Sequence, residues 1–222
     1  MQQVIEGYTA AASELIDRFN AVSSSDLFKP VIDLLPLSSV RVVDIGAGPG
    51  RDAAWLANMG HSVLAVEPVK EFRDAGMSVH ALSKIEWIDD RLPDLIETKR
   101  RGHFDLILLC AVWQHLDIDQ RLVAMRSLAE LTASGGIVIM SLRHGPGALE
   151  RTVHSIVPQE TVDVALREGF TLLRRVEAGS LQPANRRNGV HWTWLAFARR
   201  ELVKVRGHPL RSVQGQTEKK SV

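Results

Sequence analysis

The sequence predicts an α/β protein whose core is a doubly wound, mostly parallel sheet of seven strands. Short segments rich in Val, Ile and Leu alternate with amphipathic helical segments from Val40 onward, as in parallel strands joined by crossover helices. A glycine-rich turn follows the first of these strands. The last two strands have only residues 178–190 between them, and such a short connection favours an antiparallel pair.

The individual elements follow from hydrophobic periodicity and from turn residues. Apolar residues within 3–22 recur at helical spacing, and a second short helix is predicted from Ser25 to Leu35, before Pro36. The predicted strands are 40–45, 62–66, 85–88, 104–110, 136–142, 170–177 and 191–199. The predicted helices between them are 51–59, 69–82, 92–99, 117–132 and 158–168. We expect three units, which are a helical cap at 1–38, an α/β domain at 39–200, and a basic, mobile tail at 201–222.

Charge and composition exclude several classes of protein. The formal net charge is +1, so we expect no strong attraction to nucleic acid or to a membrane surface, although seven Lys or Arg stand against two Asp or Glu from Arg199 onward. No run of about 18 apolar residues predicts a membrane span, and Met1–Glu6 does not resemble a secretory signal. The single cysteine, Cys110, excludes an intramolecular disulfide and suits the cytoplasm, where we expect the protein.

The stretch from Val42 to Arg51, V-V-D-I-G-A-G-P-G-R, is the most informative part of the sequence. It predicts a buried strand that ends at Ile45, a glycine turn, and then a helix. Glycines let such a turn bend sharply and approach a ligand, because no Cβ stands in the way. The unpaired N–H groups of the following helix point at the same place. We therefore expect a small-molecule site at the end of the first strand.

An acid at the end of the next strand narrows the choice of molecule. Glu67 follows the glycine turn by about 20 residues, the spacing at which an acid binds the ribose hydroxyls of nucleotide cofactors. A dinucleotide-binding turn would carry its third glycine at position 51, where this chain has Arg51. Asp44, two residues before the first glycine, would repel a pyrophosphate but suits a cationic amino-acid group. The pattern favours S-adenosylmethionine over NAD.

With these residues the chain resembles a known family, the class I S-adenosylmethionine-dependent methyltransferases. Asp44–Gly50 is similar to their first motif, D-x-G-x-G-x-G, and Glu67 stands where their ribose-binding acid stands. The resemblance covers about residues 1–200 and is strongest over 40–145. It implies a Rossmann-like methyltransferase fold with strand order 3-2-1-4-5-7-6 and strand 7 antiparallel. It also implies S-adenosylmethionine as cofactor, S-adenosylhomocysteine as product, and 39–200 as the cofactor-binding catalytic domain.

The resemblance further implies a set of cofactor-binding residues. Gly46 and Gly48 would approach the methionine end, Asp44 would hold the turn and the cofactor amine, and the backbone near Cys110 and Ala111 would border the methionine portion. The full set is Tyr8, Arg18, Asp44, Gly46, Ala47, Gly48, Arg51, Glu67, Pro68, Asp89, Asp90, Cys110 and Ala111.

Two of these assignments leave alternatives open. The cofactor carboxylate would be bound either by Arg18 together with Tyr8 or by Arg51. A cation at a helix start opposes the helix dipole, so we expect an anion beside Arg51. Asp89 and Asp90 are rivals for the adenine amino group.

The substrate side is predicted from the segments that follow the fourth and fifth strands. Trp113 and His115 are the predicted substrate-contacting, catalytic residues. His115 would remove a proton, because its pKa normally lies near neutrality, or would be a packed or capping residue. Cys110 ends an apolar strand with no base beside it in sequence, so we do not expect it to be a nucleophile. Arg143 or His144 would either pair with an acidic substrate group or lie at the rim of the site.

The implied reaction is in-line transfer of the sulfonium methyl group to an O or N nucleophile of a small molecule. No Asn-Pro-Pro-Tyr or Asp-Pro-Pro-Tyr motif follows the fourth strand and no cysteine motif of cytosine-C5 enzymes is present, so nucleic acid, RNA in particular, is the second choice. The Arg and Trp residues of 182–194 either stack on a planar substrate or form an ordinary edge hairpin. The alternatives from other classes are an NAD-dependent oxidoreductase and a non-catalytic cofactor-binding module. We expect no metal ion and no membrane partner.

Overall fold

The computed structural model describes residues 1–201 of the chain. The strands in this part are β1 (Arg41–Ile45), β2 (Ser62–Val66), β3 (Ile85–Ile88), β4 (Phe104–Cys110), β5 (Thr132–His144), β6 (Phe170–Gly179) and β7 (His191–Arg199). They form one sheet in the order β3-β2-β1-β4-β5-β7-β6. β7 runs antiparallel to β5 and β6, and the other neighbours are parallel. The predicted fold class, strand order and antiparallel seventh strand are confirmed.

Nine helices occur in the same part of the chain, joined by short turns. They are α1 (Gln2–Ala10), α2 (Ala12–Asn20), α3 (Ser24–Leu27), α4 (Arg51–Asn58), α5 (Lys70–Val79), α6 (Ile96–Lys99), α7 (Ile118–Leu131), α8 (Pro158–Arg167) and α9 (Pro183–Arg187). Two 3₁₀ turns, Ile32–Leu34 and Trp113–His115, complete the helical segments.

The N-terminal helices are shorter than predicted. The predicted helix 3–22 is two helices, because Ala11 leaves helical geometry with φ −102° and ψ 7°. The predicted helix 25–35 is reduced to α3 and a 3₁₀ turn. Pro30 stands between these two pieces, and its missing N–H and fixed ring interrupt a helix.

Further boundaries differ from the prediction, and the predicted helix 69–82 is α5, which ends at Val79. Leu95 has φ +51°, outside the right-handed helical region, so the predicted helix 92–99 is shortened to α6. The predicted loop 178–190 contains α9, which begins with Pro183, a favourable residue at a first helical position. β5 begins at Thr132 rather than at residue 136, and its pairing with β4 shifts register there.

Both faces of the central strands are buried, as expected for parallel strands covered by helices. On one face Val42 belongs to a cluster with Phe28 and Leu56. On the other face Val43 belongs to a cluster with Leu128 of α7. A third and smaller cluster joins α2 to α5, which holds the N-terminal helices against the carboxyl edge of the sheet.

A glycine lets α1 lie against the loop that follows β5. A Cβ added to Gly7 would stand 2.1 Å from the backbone oxygen of Glu150, and any larger side chain would therefore separate the helix from the loop. This contact fixes α1 and the loop relative to one another on the same side of the sheet.

None of the helices in residues 1–201 is long and apolar enough to cross a membrane. The predicted basic tail lies outside the described residues, apart from Glu201.

We expect Gly7→Ala to destabilise the protein, although Ala is the better helix former by about 1 kcal/mol. The added Cβ would clash with Glu150 O, so α1 would have to move away from the loop. Chemical denaturation should give a lower free energy of unfolding for Gly7→Ala and an unchanged or higher one for Thr9→Ala, an exposed position on the same helix. A more stable Gly7→Ala protein would contradict the contact.

Candidate active site

A cavity of about 290 Å³ lies at the carboxyl ends of β1, β2 and β4, close to the lower limit of roughly 300 Å³ for small-molecule sites. Its other walls are α1, α2, α9 and the loop that follows β5. The carboxyl edge near a switch in strand order is where open α/β sheets bind ligands. Most of the predicted site residues line the cavity, and they are Tyr8, Arg18, Asp44, Gly46, Ala47, Gly48, Arg51, Glu67, Pro68, Asp90, Cys110, Ala111 and His115.

The turn between β1 and α4 can be built only with glycine at its key positions. Gly46, Gly48 and Gly50 have φ values of +74°, +56° and +83°, in the left-handed region that side chains disfavour. A Cβ on Gly46 would also stand 2.5 Å from Val112 Cγ2. The Gly46 N–H donates to Val66 O at 2.8 Å, which ties the turn to β2.

Glu67 is buried at the end of β2 and holds the glycine turn. Its Oε2 accepts from the Gly48 N–H and its Oε1 from the Val69 N–H, both at 2.8 Å. These bonds favour the carboxylate, but burial outweighs them and raises the pKa of Glu67 to about 7. The acid is therefore in place on the cavity wall, close to its ionisation point at neutral pH.

Asp44 is the second buried acid of the cavity. Its Oδ2 has no hydrogen-bond partner among residues 1–201. Burial, and then the negative charge of Asp52, raise the pKa of Asp44 well above its usual range. A buried carboxyl oxygen without a partner is unfavourable, and it points to a ligand that brings a donor or a positive charge.

Arg51 is accompanied by an anion, as the helix-dipole argument predicts. Its Nε and Nη2 donate to the two carboxylate oxygens of Asp52 at 2.8 and 2.7 Å, and its Nη1 donates to Phe19 O at 3.1 Å. Ser24 Oγ donates to Asp52 at 2.7 Å. The pair thus joins α4 to α2 and α3, and much of the donor capacity of Arg51 is used.

Of the two adjacent aspartates after β3, Asp90 lines the cavity and Asp89 does not. Asp89 is exposed and forms an ion pair with Arg73 at 2.9 Å, so the structure corrects its predicted place in the cofactor site. Asp90 accepts from the Thr98 N–H and hydroxyl at 2.7 Å each, and from the Arg91 N–H at 2.8 Å. These bonds fix its carboxylate at the cavity wall.

Cys110 and Ala111 border the cavity where β4 ends. Ala111 has φ +60°, and its N–H donates to Ser141 Oγ at 2.9 Å. A non-glycine residue in this region is strained, and such strain is typical of ligand sites. Burial raises the pKa of the Cys110 thiol to about 12, so the side chain is a neutral thiol at neutral pH, in line with the expectation that it is no nucleophile.

Tyr8 and His115 form a hydrogen-bonded pair in the cavity. His115 Nδ1 lies 2.7 Å from Thr152 O, and because a carbonyl only accepts, Nδ1 carries the proton. His115 Nε2 then presents a lone pair, which accepts from the Tyr8 hydroxyl at 2.9 Å. Burial lowers the pKa of His115 and raises the pKa of Tyr8 to about 12, so both side chains are neutral at neutral pH.

Residues 43–140 match a family described as a methyltransferase domain. This span contains the glycine turn, Glu67, Asp90 and His115. The matched span is somewhat under half of the chain. Together with the solved structures described below, it supports the predicted recognition as a class I S-adenosylmethionine-dependent methyltransferase.

The chain is similar to proteins of known sequence and structure. It is 31% identical over 106 residues to a ubiquinone biosynthesis O-methyltransferase of Bradyrhizobium diazoefficiens, a match that covers 48% of this chain and 41% of that relative. The chain thus spans about two fifths of the length of the curated relative that it matches.

Solved structures of low sequence identity share the fold. A TehB-like S-adenosylmethionine-dependent methyltransferase from Corynebacterium glutamicum has a TM-score of 0.61 at 19% identity, covering 86% of this chain and 99% of that one. The 1,6-didemethyltoxoflavin-N1-methyltransferase of Burkholderia thailandensis has a TM-score of 0.65 at 16% identity, covering 90% and 88%.

Trp113 is a core residue, which corrects its predicted contact with substrate. It is fully buried and belongs to the cluster between the sheet and α8. Its Nε1 donates to Thr161 Oγ1 at 3.2 Å, so both its ring and its polar atom are committed within the protein. It does not line the cavity.

Arg143 and His144 lie on opposite faces of β5, because side chains alternate along a strand. Arg143 lines the cavity, whereas His144 lies 2.8 Å from Thr193 Oγ1. Among the described residues His144, Glu177 and His191 offer ligand atoms within 4.8 Å of one another. This group is on the face away from the cavity, and the absence of a metal ion from the site stays a prediction.

The aromatic residues of the predicted hairpin 182–194 have separate roles. Trp194 packs against Phe28, with ring centroids 5.2 Å apart, and is buried in the core. Trp192 lines the cavity beside Gln182 and Asn185. The edge-hairpin interpretation therefore holds for Trp194, and Trp192 is available to a ligand.

Two polar residues beside the Tyr8–His115 pair line the cavity, although the sequence does not predict them as site residues. Arg151 lies over the Tyr8 ring, with Cζ 5.2 Å from the centroid. Gln114 donates from Nε2 to Ala111 O, while its Oε1 has no hydrogen-bond partner within residues 1–201. Gln114 lies in the segment that is predicted to face the substrate, so its position could have been predicted. Arg151 could not, because no local sequence pattern indicates that it folds back onto α1.

We expect Trp113→Phe to lower the free energy of unfolding by about 1–2 kcal/mol, the sum of a lost hydrogen bond and a small void. A double-mutant cycle with Thr161→Val, followed by chemical denaturation, should show coupling between the two positions. S-adenosylhomocysteine affinity should not change. Weaker S-adenosylhomocysteine binding by Trp113→Phe without a loss of stability would indicate that Trp113 contacts the ligand.

Proposed function

We propose that the protein binds S-adenosylmethionine across the carboxyl ends of β1 and β2 and transfers its methyl group to an oxygen or nitrogen nucleophile of a small molecule. The observation that carries the proposal is the presence, in one cavity, of a bare glycine turn and two buried acids, Asp44 and Glu67. S-adenosylmethionine supplies a methyl group on positively charged sulfur, which is electrophilic without further activation. The protein then has to orient the acceptor, exclude water and take up a proton.

The charges of the cavity suit a cationic cofactor. Asp44 Oδ2 is buried and has no partner in the described part of the chain, so a ligand ammonium group would satisfy it. Asp52 adds a second carboxylate that acts on Asp44. A pyrophosphate at this turn would face Asp44 and Asp52, and like charges in a buried site strongly disfavour one another. The NAD alternative is disfavoured on this ground.

Each polar part of the cofactor has a candidate partner among residues that line the cavity. Glu67 would accept from the ribose hydroxyls, Asp44 from the amino group and Asp90 from the adenine amino group. Arg18 would hold the cofactor carboxylate, because its present partners are the neutral side chains of Gln182 and Asn185.

Tyr8 and His115 would manage the proton of the acceptor. Thr152 O takes the Nδ1–H of His115 and thereby keeps the lone pair on Nε2. An acceptor hydroxyl or amine that replaces the Tyr8 hydroxyl at Nε2 would deliver its proton there. Thr152 O would then stabilise the imidazolium that forms.

The walls of the cavity favour a small acceptor. Helices α1, α2 and α9 and the loop after β5 surround the carboxyl edge of the sheet, which leaves a pocket rather than an open groove. Two similar proteins support this choice by their names, one for ubiquinone biosynthesis and one for 1,6-didemethyltoxoflavin.

We expect Glu67→Gln to bind S-adenosylhomocysteine more weakly than the wild type, by a factor that grows with pH. Burial raises the pKa of Glu67 to about 7, so the wild-type carboxyl group is protonated below this pH and ionised above it. Ionised Glu67 accepts from both ribose hydroxyls, so the ratio of affinities should reach about 10, or 1.4 kcal/mol, above pH 7. It should decline toward 1 near about pH 5. Isothermal titration calorimetry measures both affinities.

Two controls accompany this titration. Glu71→Gln removes an exposed acid from α5 and should leave the affinity unchanged. NAD should not bind the wild type. Binding of NAD in place of S-adenosylhomocysteine would overturn the proposed function, and equal affinities of wild type and Glu67→Gln above pH 7 would remove Glu67 from the ribose site.

His115→Gln should lose methyl transfer and keep its S-adenosylhomocysteine affinity, because a general base contributes about 10²–10⁴-fold to rate. Burial lowers the pKa of His115 below its ordinary 6.5, so the wild-type rate should be constant at neutral pH and fall only at acid pH. Transfer of label from methyl-labelled S-adenosylmethionine to small hydroxylated and amino compounds provides the assay. The exposed His191→Gln is the matched control, and full turnover in His115→Gln would assign His115 a structural role.

A further inference from the structure

We propose that the methyl acceptor is a small anion, whose carboxylate or phosphate group is bound by Arg143 and Arg151 while its nucleophile lies at the Tyr8–His115 pair. This inference rests on the proposed function and names its substrate class. It comes from the distribution of charge around the cavity.

Positive and negative side chains line different parts of the cavity. The acids Asp44, Asp52 and Glu67 belong to the turn after β1 and to the end of β2. The arginines Arg143 and Arg151 belong to the end of β5 and to the loop after it. The part of the wall formed by β1 and β2 therefore suits a cation, and the part formed by β5 and its loop suits an anion.

No carboxylate in the described part of the chain forms an ion pair with Arg18, Arg143 or Arg151. Burial first, and then the positive charges of Arg18 and Arg151, lower the pKa of Arg143. Three guanidinium groups that repel one another in a partly closed site are unfavourable without an anion. The cofactor carboxylate, bound by Arg18, supplies one anion and leaves Arg143 and Arg151 to a second.

The two arginines are held in place but are not saturated. Arg143 donates from Nη1 to Gly145 O at 3.1 Å and from Nη2 to Pro146 O at 2.7 Å. A guanidinium has five N–H donors, so others are left for a ligand. Arg151 is placed by its position over the Tyr8 ring and donates no side-chain hydrogen bond to residues 1–201. A planar guanidinium suits a carboxylate or a phosphate, which can accept two parallel hydrogen bonds.

Two other arginines near the cavity are paired with acids. Arg51 holds Asp52 through two hydrogen bonds, and Arg73 holds Asp89. Arg91 also lines the cavity and has no ion pair in the described part of the chain, but it is exposed, whereas Arg143 and Arg151 are half-buried.

An anionic acceptor would also improve the base that receives its proton. The positive charges of Arg143 and Arg151 contribute to the lowered pKa of His115. An anion bound between these arginines offsets their charge, so the pKa of His115 rises back toward its ordinary value when the acceptor is present. A neutral analogue of the same shape would leave His115 the weaker base.

The test measures binding of matched probe pairs to the protein saturated with S-adenosylhomocysteine, by isothermal titration calorimetry. The carboxylate arm compares 3- and 4-hydroxybenzoate with the corresponding hydroxybenzamides, and the phosphate arm compares phenyl phosphate with phenol. The variants are Arg143→Gln, Arg151→Gln and the double variant. Arg126→Gln, which removes a surface charge paired with Glu168, is the matched control, and Arg151→Lys keeps the charge without the planar fork.

In at least one arm the wild type should bind the anion about 10-fold or more tightly than its neutral partner. That preference should persist in Arg126→Gln, weaken in Arg151→Lys, and disappear in the double variant. S-adenosylhomocysteine affinity should stay within about twofold throughout, which is under 0.5 kcal/mol.

Three results would overturn the inference. The first is a wild type that shows no preference for the anion in either arm, and the second is a preference that survives in the double variant. The third is an S-adenosylhomocysteine affinity that falls with the arginine changes, which would assign these arginines to the cofactor. A wild type that binds no S-adenosylhomocysteine would overturn the proposed function itself, whereas cofactor binding without anion preference overturns this inference alone.

Discussion

The buried carboxylate of Glu67 is the interaction on which the site depends. It accepts from the Gly48 and Val69 N–H groups and so joins the turn after β1 to the end of β2. Burial raises its pKa from 4.5 to about 7, which corresponds to about 3 kcal/mol against the ionised form. The folded state holds this proton more tightly than the unfolded chain, so the stabilising contribution declines as pH rises from about 4.5 to about 7. Ligand hydroxyls that donate to Glu67 would offset this loss.

The sheet and the glycine turn could be predicted from the sequence because both depend on local sequence patterns. Apolar segments alternating with helical ones fix the parallel strands, and the short connection before β7 fixes the antiparallel pair. Gly46 and Gly48 are required by positive φ values, and Glu67 follows at the expected distance. The failures in this part, at Pro30 and Leu95, concern where helices begin and end, which local preference determines least well.

The direction of side chains at the end of a strand, or just after it, could not be predicted from the sequence. Asp89 and Asp90 are neighbours, yet only Asp90 lines the cavity, and Arg143 and His144 face opposite sides of the sheet. A shift of one residue exchanges such a pair. The prediction for Trp113 is wrong for a related reason. An aromatic residue in a loop at the edge of the sheet favours a prediction of substrate contact. The packing partner of Trp113 is Thr161 on α8, which is distant in sequence.

The two halves of the cavity differ in how the chain encodes them, and this difference has a consequence for function. The half with Asp44 and Glu67 is set by one motif and the strand that follows it. The half with Tyr8 and Arg151 is assembled from α1 and the loop after β5, which meet through the close approach at Gly7. The proposed methyl transfer needs alignment more than a fixed set of catalytic groups. Substitutions in α1 and this loop would therefore change the acceptor side of the cavity while the glycine turn and Glu67 stay as they are, because the two halves come from different segments of the chain.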